Sequence, residues 1–508
     1  MKNVAQMPRR WETRRELISP SLIFSILVLL VGFFLGMAIG VLSPAYGAVV
    51  AGAIGLVITI LLRLDELIVM LIVGVHILVD VYLNLDVYQV ALLMALVLLS
   101  ACYFGRSADR PWTGPRSIWL WVLFLILTIY PTINGATFSL TNAIAFYLNL
   151  VFSAFIMFWL GNIIAKDFSA VRHVFQLLSV LAALIAIHTL IEATTGKFLF
   201  VTAHAEAVLA QYSSFQAQGA AYISRSGSFL GNPNGNGVFL ATSFFLPLGL
   251  FIESKQLWAK MIYLLETLLI LLALMYTYST GSWIAVLVGI VVLMFLVGRI
   301  RYIALLLMLI ATLAVIAFTV FPSQTAAQLS HANDQSHLSD HLGTIQTAER
   351  VIEAFPLFGV GLGDHAYLVR AEPYRVPAQT VPQAEPDNSY LEWGAIAGIP
   401  VMLVFLLLLG NAFWLSWRNW LAIDIRYRAL LGGGIVALIA LSINSLVVDG
   451  WTSPAGQEYL GWLVAGIVTS PLIGRCLLQQ SASPVDRTAK IVHVEAETTR
   501  MNTAMRSS

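Results

Sequence analysis

Apolar residues run in stretches of about 20 separated by short polar segments, which is the length a helix needs to cross the hydrocarbon core of a bilayer. Followed along the chain, these runs predict helices at about 21–43, 45–62, 66–83, 88–104, 118–136, 143–165, 171–194, 235–252, 257–277, 281–298, 302–321, 390–414, 429–448 and 457–474. The expected architecture is an all-α integral membrane protein of about 14 transmembrane helices, with a polytopic domain over 21–476. Residues 1–20 precede it as a basic, polar segment. The first apolar run lacks a small-residue cleavage site and reads as a retained span. Residues 477–508 read as a disordered tail.

Two polar gaps, 195–234 and 322–389, are too long to be turns, and loops of that length in a compact helical domain commonly carry function. The second is expected to hold a soluble helix from His341 to Ala354, stopped by Phe355-Pro356 and followed by the turn Gly359-Val360-Gly361-Leu362-Gly363. Glycines there suit a close backbone approach. Ser323 to Ser339, rich in Gln, Ser and His, reads as a mobile loop.

Charge assigns the sides. Basic residues cluster in every second gap, from Lys2, Arg9, Arg10, Arg14 and Arg15 through Arg172, Lys255 and Lys260 to Arg418, Arg426 and Arg428. The positive-inside rule then places both termini in the cytoplasm and both long loops outside. All but five of the 28 lysines and arginines fall on the inner side. A composition of 59% hydrophobic and 11% charged residues, with mean hydropathy +0.83, lies far outside the soluble range. The net charge of +1 without a basic stripe argues against nucleic acid as a partner. The two cysteines, Cys102 and Cys476, fall near the inner face and provide neither an outer disulfide framework nor a metal cluster. The partner that composition implies is the lipid bilayer.

The five outer cations are Lys197, Arg225, Arg350, Arg370 and Arg375. Lys197 follows a helix end and can snorkel to headgroups. Arg350 has Glu349 and Glu353 as neighbours on its helix. Arg225 has no acidic residue nearer in sequence than Glu206 and is flanked by Ser, Gly and Asn, a setting suited to an anionic ligand. A guanidinium presents a planar fork of donors that matches phosphate oxygens.

The run Arg225-Ser226-Gly227-Ser228-Phe229-Leu230-Gly231-Asn232-Pro233-Asn234 resembles the R-x-G-x-F-x-x-N-P-N signature of the bacterial O-antigen ligase and polymerase superfamily. Three further blocks follow in family order. Ser279-Thr280-Gly281-Ser282-Trp283 resembles a helix start, Pro356 to Gly363 resembles the P-L-F-G-V-G-x-G turn, and Asp387-Asn388-Ser389-Tyr390-Leu391 resembles the H-N-x-Y-L helix entry. The resemblance covers about 220–400. It implies a membrane-embedded glycosyltransferase of the bacterial cytoplasmic membrane, acting at the outer face on a polyprenyl-diphosphate-linked glycan donor. Such an enzyme passes the glycan to a lipid or saccharide acceptor, as a ligase, or extends it, as a polymerase. No cofactor is implied.

On this reading the candidate bases are His341, Asp387 and His365. The candidate substrate and diphosphate ligands are Arg225, Asn232, Asn234, Arg350, Ser279, Gly359 and Gly361. The chain departs from the family pattern at Thr280, where many members have arginine, and at Asp387, where many have histidine. His341, expected to open the soluble helix, stands where relatives often have arginine. It is a candidate both for accepting the acceptor's proton and for holding phosphate as a cation, with the second role favoured.

Within the predicted spans, the ionisable residues His76, Asp80, His188, Glu192 and Glu266 are costly to bury. Intramembrane ionisable groups are functional candidates by default. The spacing of His76 with Asp80, and of His188 with Glu192, also allows local pairing on one helix face, the favoured reading, with Glu192 a second-tier candidate for lining a substrate cavity. Trp112, Trp119, Trp121, Trp414, Trp417 and Trp420 read as an interfacial belt. Two other functions fit part of the pattern. A secondary transporter would use the buried acid and histidine pairs, but the sequence shows no inverted repeat. A noncatalytic descendant that binds lipid-linked glycan would account for Thr280.

Overall fold

The structure, a computed structural model, describes residues 117–165, 167–196, 214–216, 222–298, 335–379, 382–383, 385–453 and 457–471, with single residues at 319, 322, 326 and 473. The expected spans 21–43, 45–62, 66–83, 88–104 and 302–321 lie outside them apart from residue 319. So do His76, Asp80, Trp112, Lys197 and the tail from 477.

Within the described residues the apolar runs become helices close to where the pattern puts them. They are α1 (Ile118–Ala136), α2 (Leu140–Ile164), α3 (Phe168–Thr195), α4 (Pro233–Glu253), α5 (Leu257–Met275), α6 (Thr280–Leu296), α7 (Gln335–Ala354), α8 (Asp364–Ala371), α9 (Ser389–Ala397), α10 (Ile399–Ala422), α11 (Arg428–Asn444) and α12 (Gln457–Thr469). Seven segments are long and apolar enough to cross a membrane: α1 to α5, α10, and the stretch Ile425–Asn444 that contains α11. A two-stranded antiparallel pair, β1 (Ser214–Gln216) with β2 (Tyr222–Ser224), stands among the helices of the described residues.

Small residues set the closest helix contacts, as expected where lipid supplies no hydrophobic driving force between helices. A Cβ on Gly161 of α2 would stand 2.3 Å from the Leu463 carbonyl of α12, and one on Gly466 of α12 would stand 2.1 Å from the Phe158 carbonyl. Gly249 of α4 meets Gly433 of α11 in the same way. Aromatic rings fill the centre, where Trp462 lies 4.8 Å from Trp121 and 4.7 Å from Trp451, and Phe124 lies 5.0 Å from Trp393. A π-helical turn at Tyr147–Phe152 breaks the regularity of α2, and the Tyr459 hydroxyl donates to the Asn149 carbonyl within it at 3.1 Å.

Four expectations change. The predicted span 390–414 is divided at Gly398, whose φ of 88° and extended ψ no L-residue adopts easily. The soluble helix begins at Gln335, so Gln335 to Ser339 is helical and His341 lies in the second turn of α7 instead of at its start. Trp121 is 0% exposed and belongs to the core, and Trp420 is also buried, stacked on Trp417. Trp119 and Trp414 keep the exposure expected of belt residues.

The chain ends of these helices alternate between two poles. At the basic pole, Arg172 at the start of α3 pairs with Glu253 at the end of α4, Nε to Oε2 at 3.1 Å. Arg426 and Arg428 flank the start of α11 near that level, with Arg428 over the Trp420 ring. The opposite pole is formed by the start of α4, the end of α5, the turn after α7, and the start of α9.

Candidate functional site

At the opposite pole, Asn232 caps α4 through its side chain, which accepts the Asn234 amide at 2.8 Å, and Pro233 occupies the first helical position. The cap presents the Asn234 side chain to Arg225. Asn234 Oδ1 accepts from Arg225 Nη2 at 2.5 Å, and the Thr277 carbonyl at the end of α5 accepts from Arg225 Nε at 3.0 Å. The next residue is fixed to the same element, because the Ser226 amide donates to the Tyr276 carbonyl at 3.0 Å. Burial pushes the Arg225 guanidinium down to about 10, which leaves it cationic at neutral pH.

The loop behind Arg225 is held from α3. The Glu192 carboxylate accepts from the Ser226 hydroxyl at 2.5 Å and from the Ser228 amide at 2.8 Å. His188 Nδ1 and the Ser228 hydroxyl are 2.9 Å apart, and the His188 ring packs at 4.0 Å on Phe229. Asn236 of α4 donates to both Thr189 of α3 and the Ser226 carbonyl, each at 3.1 Å. His188 and Glu192 therefore do not form the local pair their spacing suggested. Both reach the loop, because one turn of helix carries them along the same face to it. Ser228 is held at φ 49°, a left-handed conformation that costs an L-residue roughly 1–2 kcal/mol. Glu266, singled out with them in the sequence, accepts from Ser179 between α5 and α3.

A second cluster joins α7 to α9. Asn388 caps α9 by accepting the Tyr390 and Leu391 amides at 3.0 and 3.1 Å, and its Nδ2 donates to the Leu446 carbonyl at 2.9 Å. The cap sets Asp387 at the mouth of α9, where its Oδ2 lies 3.1 Å from His341 Nδ1. Both side chains are about one quarter to one third exposed, at 26% and 30%. The hydrogen bond to Asp387 raises the His341 pKa above its usual value against the opposing effects of burial and of the Arg225 charge. The Arg225 charge is thus within electrostatic reach of His341.

Two of the three candidate bases are thus brought together, and the third is not. His365 is exposed on α8. Arg350 is exposed and lies about half a turn out of phase with His341 on α7, so it points to the other face. Ser279 is buried, with its hydroxyl 2.9 Å from that of Ser282, and its Cβ fills the space a side chain at Gly237 would need. The glycine turn does approach a backbone closely, as expected, but the backbone belongs to neighbouring helices. A Cβ on Gly359 would stand 2.3 Å from Ile396, and one on Gly361 would stand 2.6 Å from the Gly135 nitrogen. Asn232 serves the helix cap and Asn234 serves Arg225.

Three residues absent from the expected site adjoin it. Thr277 supplies the carbonyl that aims Arg225. Glu385 and Asp449 form an acidic flank beside Asp387: burial and the facing Asp449 hold the Glu385 carboxyl well above the usual carboxylate range, and burial with Asp387 nearby pushes Asp449 up to about 6. An available signal was Asp449 itself, an acid in an outer gap that has no lysine or arginine.

No curated protein matches the chain. A chain from a solved peptidoglycan synthase complex, described as showing structural coordination of polymerization and crosslinking, is 15% identical with a TM-score of 0.39, over 72% of this chain and 100% of that one. Residues 266–406, which contain α6, α7, the glycine turn, Asp387 and α9, match the model of the O-antigen ligase family. Arg225 and its Asn-Pro-Asn cap lie upstream of the matched segment. That match runs across the elements that carry His341 and Asp387, so this segment of the chain is similar to the O-antigen ligase family.

Proposed function

We propose that the protein is a membrane glycosyltransferase that moves glycan from a polyprenyl diphosphate carrier to an acceptor hydroxyl at the outer face of the cytoplasmic membrane. The observation that carries this reading is the contact between His341 Nδ1 and Asp387 Oδ2 at 3.1 Å, within electrostatic reach of Arg225. Asp387 orients the ring through Nδ1 and makes it more basic, which suits the other nitrogen to accept a proton. The same contact also stabilises the imidazolium, so the base role rests on the paired geometry, and the phosphate-holding cation is separated from it by His341→Arg.

In the transfer, the acceptor oxygen bonds to the anomeric carbon while the bond from that carbon to the diphosphate oxygen breaks. The hydroxyl proton passes to His341. The departing diphosphate gains negative charge, which the fixed Arg225 guanidinium stabilises. Asn234 and the Thr277 carbonyl keep the guanidinium in place throughout.

Turnover of a lipid-linked oligosaccharide by the purified protein tests the reading directly. Released polyprenyl diphosphate together with elongated or transferred glycan is the expected result, and binding without turnover in the wild type would leave a noncatalytic glycan-binding protein. The glycan profile of a deletion strain then separates the two reaction types. Single units retained without long chains indicate a polymerase, whereas accumulated full-length lipid-linked chains indicate a ligase.

A further inference from the structure

The turn that follows α7 exposes two large apolar side chains, Leu357 at 62% and Phe358 at 50%. They continue the outward flank of α1, where Ile129, Tyr130 and Ile133 are also exposed, and the Phe358 ring lies 4.3 Å from that of Tyr130. Tyr130 is six residues short of the end of α1, a depth of about 9 Å at 1.5 Å per residue. The turn thus descends alongside the span instead of resting above it.

Irregular backbone at that depth is tolerated only where its polar groups are satisfied within the protein. Here the amides of the four residues that follow Phe358 are bonded one after another: Gly359 to the Phe355 carbonyl at 3.0 Å, Val360 to Ala395 at 2.8 Å, Gly361 to Ile396 at 2.9 Å and Leu362 to Pro131 at 3.0 Å. The Pro356 carbonyl accepts from Ile399 at 2.8 Å, and the Val360 carbonyl accepts from Arg370 at 2.7 Å. The Arg370 guanidinium lies 4.8 Å from the centre of the Phe138 ring, beyond the end of α1, and marks a polar border above the apolar side chains.

We propose that the Pro356–Phe358 turn is a wedge seated in the outer leaflet, with Leu357 and Phe358 among the acyl chains and Arg370 at the headgroups. Phospholipid is the partner, and the surface is continuous with the lipid-facing side of α1. The buried depth matches the roughly 5–10 Å reached by interfacial segments. Because the wedge directly follows α7 and the residues next to it are bonded to α9, lipid contact fixes the height of the elements that carry His341 and Asp387. This inference requires that α1 spans the membrane and does not depend on the proposed reaction.

The test uses the full-length protein with Cys102 and Cys476 replaced by serine and a nitroxide attached at Leu357→Cys or Phe358→Cys, reconstituted in phospholipid vesicles. Collision with oxygen, which concentrates in the acyl region, is compared with collision with a water-soluble nickel chelate. A label at Gln346→Cys, on the exposed side of α7, is the aqueous reference. The expected result is a shift of preference toward oxygen at 357 and 358, and toward nickel at 346, in protein that retains its thermal transition. Equal collision rates, or a preference for nickel at both 357 and 358, would overturn the proposal whether or not the protein transfers glycan.

Discussion

His341 Nδ1 and Asp387 Oδ2 meet at 3.1 Å although one belongs to the soluble helix of an outer loop and the other to the mouth of a short helix leading into a span. On the proposed reaction, the contact makes the two candidates one proton-accepting unit, and it sets the expected pH behaviour. Its partner charge raises the His341 pKa, so a base must be freed of its proton at higher pH than an ordinary imidazole. Activity should rise with pH through that raised value. Asp387→Asn should shift the rising limb to lower pH while lowering the plateau. His341→Ala should lose the limb and cost about 10²–10⁴ in turnover, the usual worth of a general base. If His341→Arg retains substantial activity and extends it to higher pH, the ring is a phosphate-holding cation and the base lies elsewhere.

Arg225→Lys keeps the charge but removes the planar fork that bonds the Thr277 carbonyl and Asn234 together. Turnover should fall about ten- to a hundredfold, the equivalent of losing a charge-assisted hydrogen bond of roughly 1.5–3 kcal/mol, with protein accumulation unchanged. Asn234→Ala should reproduce part of the loss through misplacement of an intact guanidinium. Steady-state kinetics of the purified variants against wild type provide the check.

Glu192→Ala removes the acceptor of both the Ser226 hydroxyl and the Ser228 amide. Leaving such buried donors unpaired costs about 1–3 kcal/mol each, so the thermal transition should drop and activity with it. Glu192→Gln retains a carbonyl oxygen at the same position and should recover most of the stability. Equal transitions for the alanine variant and wild type would mean that α3 does not hold the Arg225 loop.

Two glycines with positive φ should behave oppositely. Gly361→Ala places a Cβ at φ 111° and 2.6 Å from the Gly135 backbone, so the protein should fail to accumulate or unfold well below wild type. Gly196→Ala meets nothing within 4 Å at φ 64°, and its cost should be limited to the conformational strain of roughly 1–2 kcal/mol. Accumulation in membranes and thermal unfolding in detergent distinguish the two.

Much of the helical scaffold was legible because apolar length is a strong signal: α1, α3, α5 and α6 begin and end within a few residues of their runs. The break at Gly398 was not, since Ile399 to Leu409 remains as apolar as a continuous span and only the backbone angle records the interruption. At the site, residue chemistry marked Arg225, His341 and Asp387 but said nothing of who bonds to whom. The i, i+4 spacing of His188 and Glu192 fits a local pair and a shared reach to a distant loop equally well, and tertiary structure chose the second. Ser279, Gly359 and Gly361 show the same limit, because a motif residue that packs one helix against another has the same letter as one that touches a ligand.

On the proposed reaction, the anchoring of Arg225 has a thermodynamic consequence for the diphosphate it would receive. An arginine side chain has about 2 kcal/mol of rotamer entropy to lose, and here two protein acceptors extract that loss during folding. The ligand meets a donor already aimed, so little of its binding free energy is spent on ordering the receptor. Affinity for the ground state and for the charge that develops later then differ mainly by electrostatics, which is the condition under which a fixed cation accelerates bond breaking instead of merely tightening capture.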